Sequence, residues 1–235
     1  SATNSYSVPA RTVSFFGRLS YTFMDRYLFT GTFRADGSSK FAPDNRWGYF
    51  PSVSVGWKLN EEPWLRDQSW LSLLKVRAGW GQLGNNRINN LARLTLISYD
   101  NEDYIYGVGT PTVKPGYAIT AYGNPDIKWE RTESTTVGLD FNMFDNRFTA
   151  SIEYFVKDTK DMLLEVPLVY SAGWVDTPYQ NAGSIRNKGF EIQLGWRDQI
   201  GNFGYGISGN LTKVNNKVTS LGQYGEPVLG GNLST

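Results

Sequence analysis

Apolar and polar residues alternate one by one along many stretches of the chain. In the segment 51–59 the apolar positions fall on one face, which carries Pro51, Val53, Val55, Trp57 and Leu59. The positions between them are small, polar or charged. A period of two residues is typical of a β-strand, because successive side chains point to opposite faces. The segment is therefore predicted to be a strand with one apolar and one polar face.

The same alternation recurs before and after this segment and predicts about eight strands, with no long helix. The predicted strands lie at 13–23, 27–36, 51–59, 75–80, 136–143, 148–157, 190–197 and 205–212. Several of them follow one another closely enough to form hairpins. The chain is therefore predicted to be all-β and antiparallel.

The connections between these strands alternate between short and long. The short ones lie at 24–26, 60–70, 145–146 and 198–202, and the long ones at 37–49, 82–128 and 160–185. Barrels of the outer membrane have short periplasmic turns and long extracellular loops. Strands of about ten residues also suit a tilted membrane crossing. The pattern favours a transmembrane β-barrel, with short extra strands near 93–98 and 104–108 in the longest loop.

Aromatic residues gather near the predicted short turns. Tyr21, Phe23, Tyr27 and Phe29 flank the first turn, and Phe141 and Phe148 flank the third. Tyrosine and tryptophan favour the headgroup level of a membrane, where an apolar ring and a polar tip are both satisfied. These rings are predicted to form the periplasmic girdle. The alternative is that they fill the core of a soluble sandwich.

Composition excludes several classes of function. The 235 residues include 23 basic and 22 acidic side chains, no cysteine and no histidine. This balance gives no basic stripe for nucleic acid. The commonest general base and zinc ligand is missing, so we expect no catalysis, no metal site and no cofactor. No run approaches the roughly 18 apolar residues of a membrane helix, and the start of the chain lacks the features of a secretory signal.

Three motifs give the chain a family resemblance. The first is the run DGSSKF at 36–41 with NRWGYFPS at 45–52, the second is NPDIKWE at 124–130, and the third is NAG at 181–183 with NKGFE at 187–191. Together they resemble signatures in the barrels of SusC/RagA-type TonB-dependent transporters of the Bacteroidetes outer membrane. The matches occur in the family's order and cover most of the chain.

The resemblance implies that residues 1–235 belong to the β-barrel domain of a TonB-dependent receptor. The eight strands would form an arc of a larger barrel of about 22 strands. The plug domain and the remaining strands would lie outside this chain. The resemblance places the protein in the cell outer membrane, among membrane lipid and lipopolysaccharide.

The resemblance also implies a function, namely TonB-dependent import of a glycan or an oligopeptide. Its expected partners are a SusD-like surface lipoprotein and TonB, which would act through the absent plug. Two other interpretations remain open. One is a small stand-alone outer-membrane barrel of structural or adhesin type, and the other is a soluble carbohydrate-binding β-sandwich.

Candidate contacts with cargo come from the irregular loops. The charges of the first long loop, Arg34, Asp36, Lys40, Asp44 and Arg46, are expected to pair with neighbours and maintain architecture, although a ligand site is the alternative. The aromatic residues of the later loops are able to stack on sugar rings or pack on peptides. These substrate-binding candidates are Tyr104, Tyr106, Tyr117, Tyr122 and Trp174. Each of them is equally compatible with loop packing or with a lipid-level anchor.

Overall fold

The computed structural model describes residues 9–106, 112–166 and 177–220, and between residues 99 and 115 it describes the backbone only. Twelve strands lie within these ranges. They are β1 Thr12–Phe23, β2 Tyr27–Ser38, β3 Trp47–Lys58, β4 Leu71–Asn85, β5 Leu96–Tyr106, β6 Thr112–Ala121, β7 Glu130–Met143, β8 Phe148–Lys160, β9 Leu163–Glu165, β10 Tyr179–Asn181, β11 Ser184–Ile200 and β12 Phe203–Ser220. Two short 3₁₀ turns lie at Pro43–Asn45 and Leu59–Glu61.

Eight of the strands form one antiparallel sheet in the order β1-β2-β3-β4-β7-β8-β11-β12. Neighbouring strands are paired in phase, so that Val55 lies opposite Phe29 on one side and Ala78 on the other. The apolar positions of the separate strands therefore fall on a common face. Within the described residues the sheet is open, with β1 and β12 at its edges. The all-β, antiparallel prediction of about eight strands in an arc is confirmed.

The apolar face of this sheet is exposed. Val55, Ile152 and Leu194 retain 50%, 44% and 46% of their surface. A sandwich would bury these side chains against a second sheet, so the alternative of a soluble β-sandwich does not fit the structure. The opposite face carries polar groups, including Arg77, which forms ion pairs with Asp140 and Glu153. The sheet thus has one apolar and one polar face, as the wall of a membrane barrel does.

The short turns and their aromatic residues lie at one end of the sheet, which we call the turn end. Rings are in contact there from Tyr21 through Phe23 and Tyr27 to Trp57. Below them, the Glu62 carboxylate accepts hydrogen bonds from the Tyr27 hydroxyl at 2.8 Å and the Trp57 Nε1 at 2.9 Å. The predicted clustering of aromatic residues at these turns is confirmed.

The opposite end, the loop end, is more regular than the sequence predicted. The eight main strands run for 12 to 18 residues instead of about ten. For example, the ladder between β2 and β3 continues to Gly37 and Trp47, inside the predicted loop. The fourth short connection is tighter than predicted, since β11 extends to Ile200 and β12 begins at Phe203.

The two later loops contain strands of their own. β5 and β6 pair as antiparallel strands. The two short strands predicted near 93–98 and 104–108 are wrong in their bounds, because residues 93–95 lie outside any strand and β5 is continuous from Leu96 to Tyr106, and β6 was not predicted. β9 and β10 form a small ribbon that the alternation did not indicate, because each strand has only three residues. None of the described helices has the length and apolar character needed to cross a membrane.

Candidate functional site at the loop end of the sheet

The best-packed apolar group among the described residues lies at the loop end. It consists of Phe41, Phe50, Ile88, Ile127 and Trp129, and we call it the loop-end cluster. Phe41 and Ile127 are completely buried. The Trp129 ring lies 5.2 Å from the Phe41 ring and 5.5 Å from the Phe50 ring, centroid to centroid. The cluster therefore joins the first motif, the second motif and the segment after β4.

Two glycines provide the space that the Phe50 ring occupies. A Cβ atom added at Gly84 would lie 2.0 Å from this ring, and one added at Gly48 would lie 2.5 Å from it. Both distances are far below van der Waals contact. The lack of a side chain at these two positions lets a bulky ring lie flat on neighbouring strands.

Hydrogen bonds reinforce the contact between the first and second motifs. Trp129 Nε1 donates to the carbonyl oxygen of Arg46 at 3.0 Å. Asn45 Nδ2 donates to the carbonyl oxygen of Asp126 at 3.2 Å. A buried indole that finds a partner for its N–H avoids the cost of an unsatisfied donor.

The third motif is attached through Asn181. Its side chain accepts from the Lys128 backbone N–H at 2.8 Å and donates to the Lys128 and Asp161 carbonyl oxygens at 2.8 and 2.9 Å. Asn124 Nδ2 also reaches the carbonyl oxygen of Tyr179 at 2.9 Å. The three motifs, far apart in sequence, therefore form one hydrogen-bonded junction.

Two charged residues of the first long loop, Arg34 and Lys40, bind neighbouring groups of the protein. Arg34 pairs with Asp36 at 2.6 Å. Lys40 Nζ donates to the carbonyl oxygens of Asn86 and Ile88 at 3.2 and 2.9 Å, which fixes the start of the second loop. Arg46 differs, because its Nε is buried without a hydrogen-bond partner in the described part of the chain. For Arg34 and Lys40 the expected pairing with neighbours is confirmed.

A cavity of about 300 Å³ opens beside the junction. Its walls come from the second and third loops and include Leu91, Leu94, Tyr122, Glu165 and Tyr179. The Tyr179 hydroxyl donates a hydrogen bond to the Glu165 carboxylate, which raises the pKa of Tyr179 above its ordinary value. The cavity offers apolar side chains, two tyrosine rings and one carboxylate to a ligand, a mixture typical of binding pockets.

The predicted aromatic candidates are dispersed. Tyr122 lines the cavity, whereas Tyr117 is 69% exposed on β6 and does not contribute to the cavity wall. Tyr104 and Tyr106 lie on β5, where only their backbone is described, and Trp174 lies outside the described residues. Cargo binding by these five residues stays a prediction.

The sequence motifs include Asn124, Asn181 and Trp129 but do not indicate a role for any of them. The only signal for them was membership in a motif, since an isolated asparagine carries no period. In the described part of the chain, carboxylates do not gather in groups able to hold a metal ion.

The fold and junction define a segment of transmembrane β-barrel wall whose loop-end segments are held against the sheet. Residues 1–233 match the family described as TonB dependent receptor-like, beta-barrel. The chain belongs to this family. The TonB-dependent receptor SusC of Bacteroides thetaiotaomicron is 38% identical over 221 residues, which is 92% of this chain and 22% of that protein.

Two further relatives support the same assignment. A TonB-dependent receptor of Formosa agariphila is 35% identical over 210 residues, 89% of this chain and 21% of that protein. The structure of the RagAB peptide transporter superposes with a TM-score of 0.81 at 29% identity, and the match covers 96% of this chain and 25% of that one. The chain therefore spans between a fifth and a quarter of these relatives, and the SusC/RagA resemblance is confirmed.

Proposed function

We propose that this chain forms part of the wall of an outer-membrane importer that takes up a glycan or an oligopeptide by TonB-dependent transport. The observation that carries the proposal is the exposed apolar face of the sheet, with Val55 half exposed and Arg77 in ion pairs on the opposite face. Such a two-sided sheet separates lipid from a polar lumen. The turn end would face the periplasm and the loop end the cell exterior.

In this placement the junction is an architectural site. It holds three extracellular loop segments as one unit above the lumen, and the neighbouring cavity with Tyr122 is a candidate cargo contact. RagAB is described as a peptide transporter, which supports an oligopeptide cargo. A glycan is the other candidate, since tyrosine rings also stack on sugars.

The remaining parts of the importer would lie in a longer polypeptide that contains these residues. A plug domain and further strands would complete a barrel of about 22 strands. A SusD-like surface lipoprotein would cap the extracellular mouth, and TonB would act on the plug. Cargo would be captured between cap and loops and released through the lumen, so no covalent step, catalytic residue or cofactor is needed.

Import is tested by deleting the gene in the source bacterium and measuring uptake of labelled oligopeptides and glycans. The deletion strain should lose uptake of one nutrient class and regain it on complementation. A protonophore should abolish the uptake, since TonB-dependent transport uses the inner-membrane proton gradient. Uptake that is unchanged by deletion or insensitive to the protonophore would contradict the proposal.

The lipoprotein partner has a separate test. The full-length protein is purified by an affinity tag from native membranes in a mild detergent. A surface lipoprotein should co-purify in a fixed ratio. Purification without such a partner would contradict the proposed cap but leave the import proposal standing.

A further inference from the structure

We propose that the cavity beside the junction binds the cationic side chain of a lysine or arginine residue in an oligopeptide cargo. The site consists of Glu165 and Tyr122 among aliphatic side chains, and we call it the cation cavity. The inference rests on the proposed import function, because it names a chemical class within the cargo of that importer.

Glu165 gives the cation cavity its charge. Of the residues that line the cavity, all of which lie in the described part of the chain, it is the only one with a charged side chain. No lysine or arginine of the wall therefore neutralises it. Glu165 is also exposed, so a ligand can reach its carboxylate. A carboxylate beside apolar side chains favours a cationic ligand, since ion pairs strengthen where water is partly excluded.

The neighbouring strand fixes the position of this carboxylate. Tyr179 lies directly opposite Glu165 in the ribbon of β9 and β10, and its hydroxyl donates a hydrogen bond to the carboxylate. An ionised carboxylate has two oxygens and about four acceptor sites, so one such bond leaves room for the N–H groups of a ligand. The Tyr179 ring packs against the loop-end cluster, which anchors the ribbon.

Asn124 joins two walls of the cation cavity. Its backbone N–H donates to the carbonyl oxygen of Ala92 at 2.9 Å, and its Nδ2 donates to the carbonyl oxygen of Tyr179 at 2.9 Å. Ala92 lines the cavity from the second loop, and Tyr179 lines it from the third. Both residues also pack against the loop-end cluster. The cavity is therefore preformed, which lowers the entropic cost of ordering its walls on binding.

The aliphatic walls select the body of the ligand. Leu91, Leu94 and Leu96 all line the cavity. The stem of a lysine or arginine side chain is a chain of methylene groups, which packs well on such a surface. The hydroxyl groups of a sugar would lose their hydrogen bonds to water against leucine side chains. The walls therefore favour a basic side chain over an amino sugar, although both carry a positive charge.

Tyr122 and the size of the cavity narrow the choice further. The Tyr122 ring is 37% exposed and lines the cavity. A cation within about 6 Å of the centroid of a tyrosine ring is attracted to its face. The volume of about 300 Å³ is at the lower end of the range for ligand pockets. It suits one side chain, so the rest of a peptide would lie outside the cavity.

The test measures peptide binding to the full-length protein in detergent by isothermal titration calorimetry. The probes are end-blocked pentapeptides that differ only at the central residue, which is lysine, norleucine or glutamate, together with glucosamine. Wild type should bind the lysine peptide most tightly and the glutamate peptide least. Glu165→Gln should weaken binding of the lysine peptide by about tenfold, the usual effect of losing a charge-assisted hydrogen bond. The glutamine carbonyl oxygen still accepts from Tyr179, so the ribbon is kept.

Asp126→Asn is the matched control, since it removes an exposed carboxylate at the same end of the sheet that does not line the cavity. This variant should keep the preference for lysine, and Glu165→Lys should reverse it in favour of glutamate. Wild type that binds the three peptides equally or not at all would overturn the inference, as would an unchanged preference in Glu165→Gln. Tighter binding of glucosamine than of the lysine peptide would overturn it in favour of a glycan.

Uptake by cells separates this inference from the import proposal. A deletion strain complemented with Glu165→Gln should import the norleucine peptide at the wild-type rate and the lysine peptide more slowly. Import of both peptides at wild-type rates would overturn the inference but leave the import proposal standing. Peptide uptake that is unaffected by deletion of the gene would contradict the import proposal, whereas a calorimetric preference for lysine would still support the cation cavity.

Discussion

Glycine 84 shows how one missing side chain shapes the candidate site. The position lies on β4, where the Phe50 ring occupies the space that a Cβ atom would need, at 2.0 Å. Phe50 is only 4% exposed within the loop-end cluster, so its ring has little room to move. Glycine at this position is therefore explained by packing, without a ligand.

The variant Gly84→Ala should destabilise the protein by about 1–3 kcal/mol, the usual cost of overpacking a core. The measurement is thermal unfolding of the full-length protein in detergent. Gly17→Ala is the matched control, because no described residue lies within 4 Å of a Cβ atom at Gly17. A melting temperature that falls equally in both variants would contradict the packing argument.

Glu62 gives a pH-dependent contribution at the turn end. Its carboxylate accepts hydrogen bonds from Trp57, Tyr27 and Arg26, which lower the pKa of Glu62 below its ordinary value. A carboxyl group whose pKa is lowered by folding stabilises the protein above its unfolded-state pKa, near 4.3. This stabilisation is lost as the pH falls through the folded-state value.

The variant Glu62→Gln should therefore melt below wild type at pH 7, and the difference should shrink as the pH falls below about 4. The measurement is the melting temperature of both proteins in detergent across this pH range. Glu61→Gln, which removes a neighbouring carboxylate that accepts a hydrogen bond from Asn60, is the control and should show a smaller effect. A difference that stays constant with pH would exclude the carboxylate as its source.

At the scale of elements, alternation predicted the eight main strands but not their ends. The alternation of apolar and polar residues is clear where one face of the strand lies in an apolar environment, as at Val53, Val55 and Trp57. It fades at the loop end, where the face that carries Leu194 changes from apolar to charged residues at Lys188 and Arg186, so the predicted β11 and β12 are too short. β9 and β10 gave no signal because strands of three residues are too short to show an alternation.

The candidate site was predictable only as a set of motifs. Phe50 lies on β3, and Phe41 and Trp129 lie outside the strands, but no spacing in the sequence shows that the three rings meet. Their contact depends on pairing between strands that are distant in sequence, with Trp129 bonded to Arg46 across 83 positions. The alternation of residues within one strand does not predict tertiary contacts of this kind.

The junction should hold the loop segments together, and Trp129→Ala tests this. Replacing a buried tryptophan with alanine costs about 3–5 kcal/mol, here through lost contacts to Phe41 and Phe50. On intact cells we expect faster protease cleavage within 86–128 and 161–183, mapped by mass spectrometry. Trp64→Ala, at an exposed turn-end position, is the control. Unchanged cleavage in the Trp129 variant would show that the cluster does not restrain the loops.

At the scale of the whole molecule, the described sheet is open and the chain covers only part of the length of its relatives. Both observations bear on the size of the native protein. The 235 residues have a mass of 26.4 kDa. If they form an arc of a larger barrel, the native polypeptide should have an intact mass several times this value. Mass spectrometry of the protein from its native membrane makes the measurement. A native mass near 26.4 kDa would instead support a small stand-alone barrel.

The most direct test of the membrane-wall assignment is to measure which side of the sheet faces lipid. The chain contains no cysteine, so single spin labels are introduced at Val55, Leu194, Ser54 and Gln193 of the full-length protein in lipid bilayers. We predict that labels at Val55 and Leu194 collide mainly with oxygen, which concentrates in lipid, and that those at Ser54 and Gln193 collide mainly with a polar nickel complex. Labels at Val55 and Leu194 that are reached by the nickel complex, or by neither reagent, would contradict the assignment of this chain to a membrane wall.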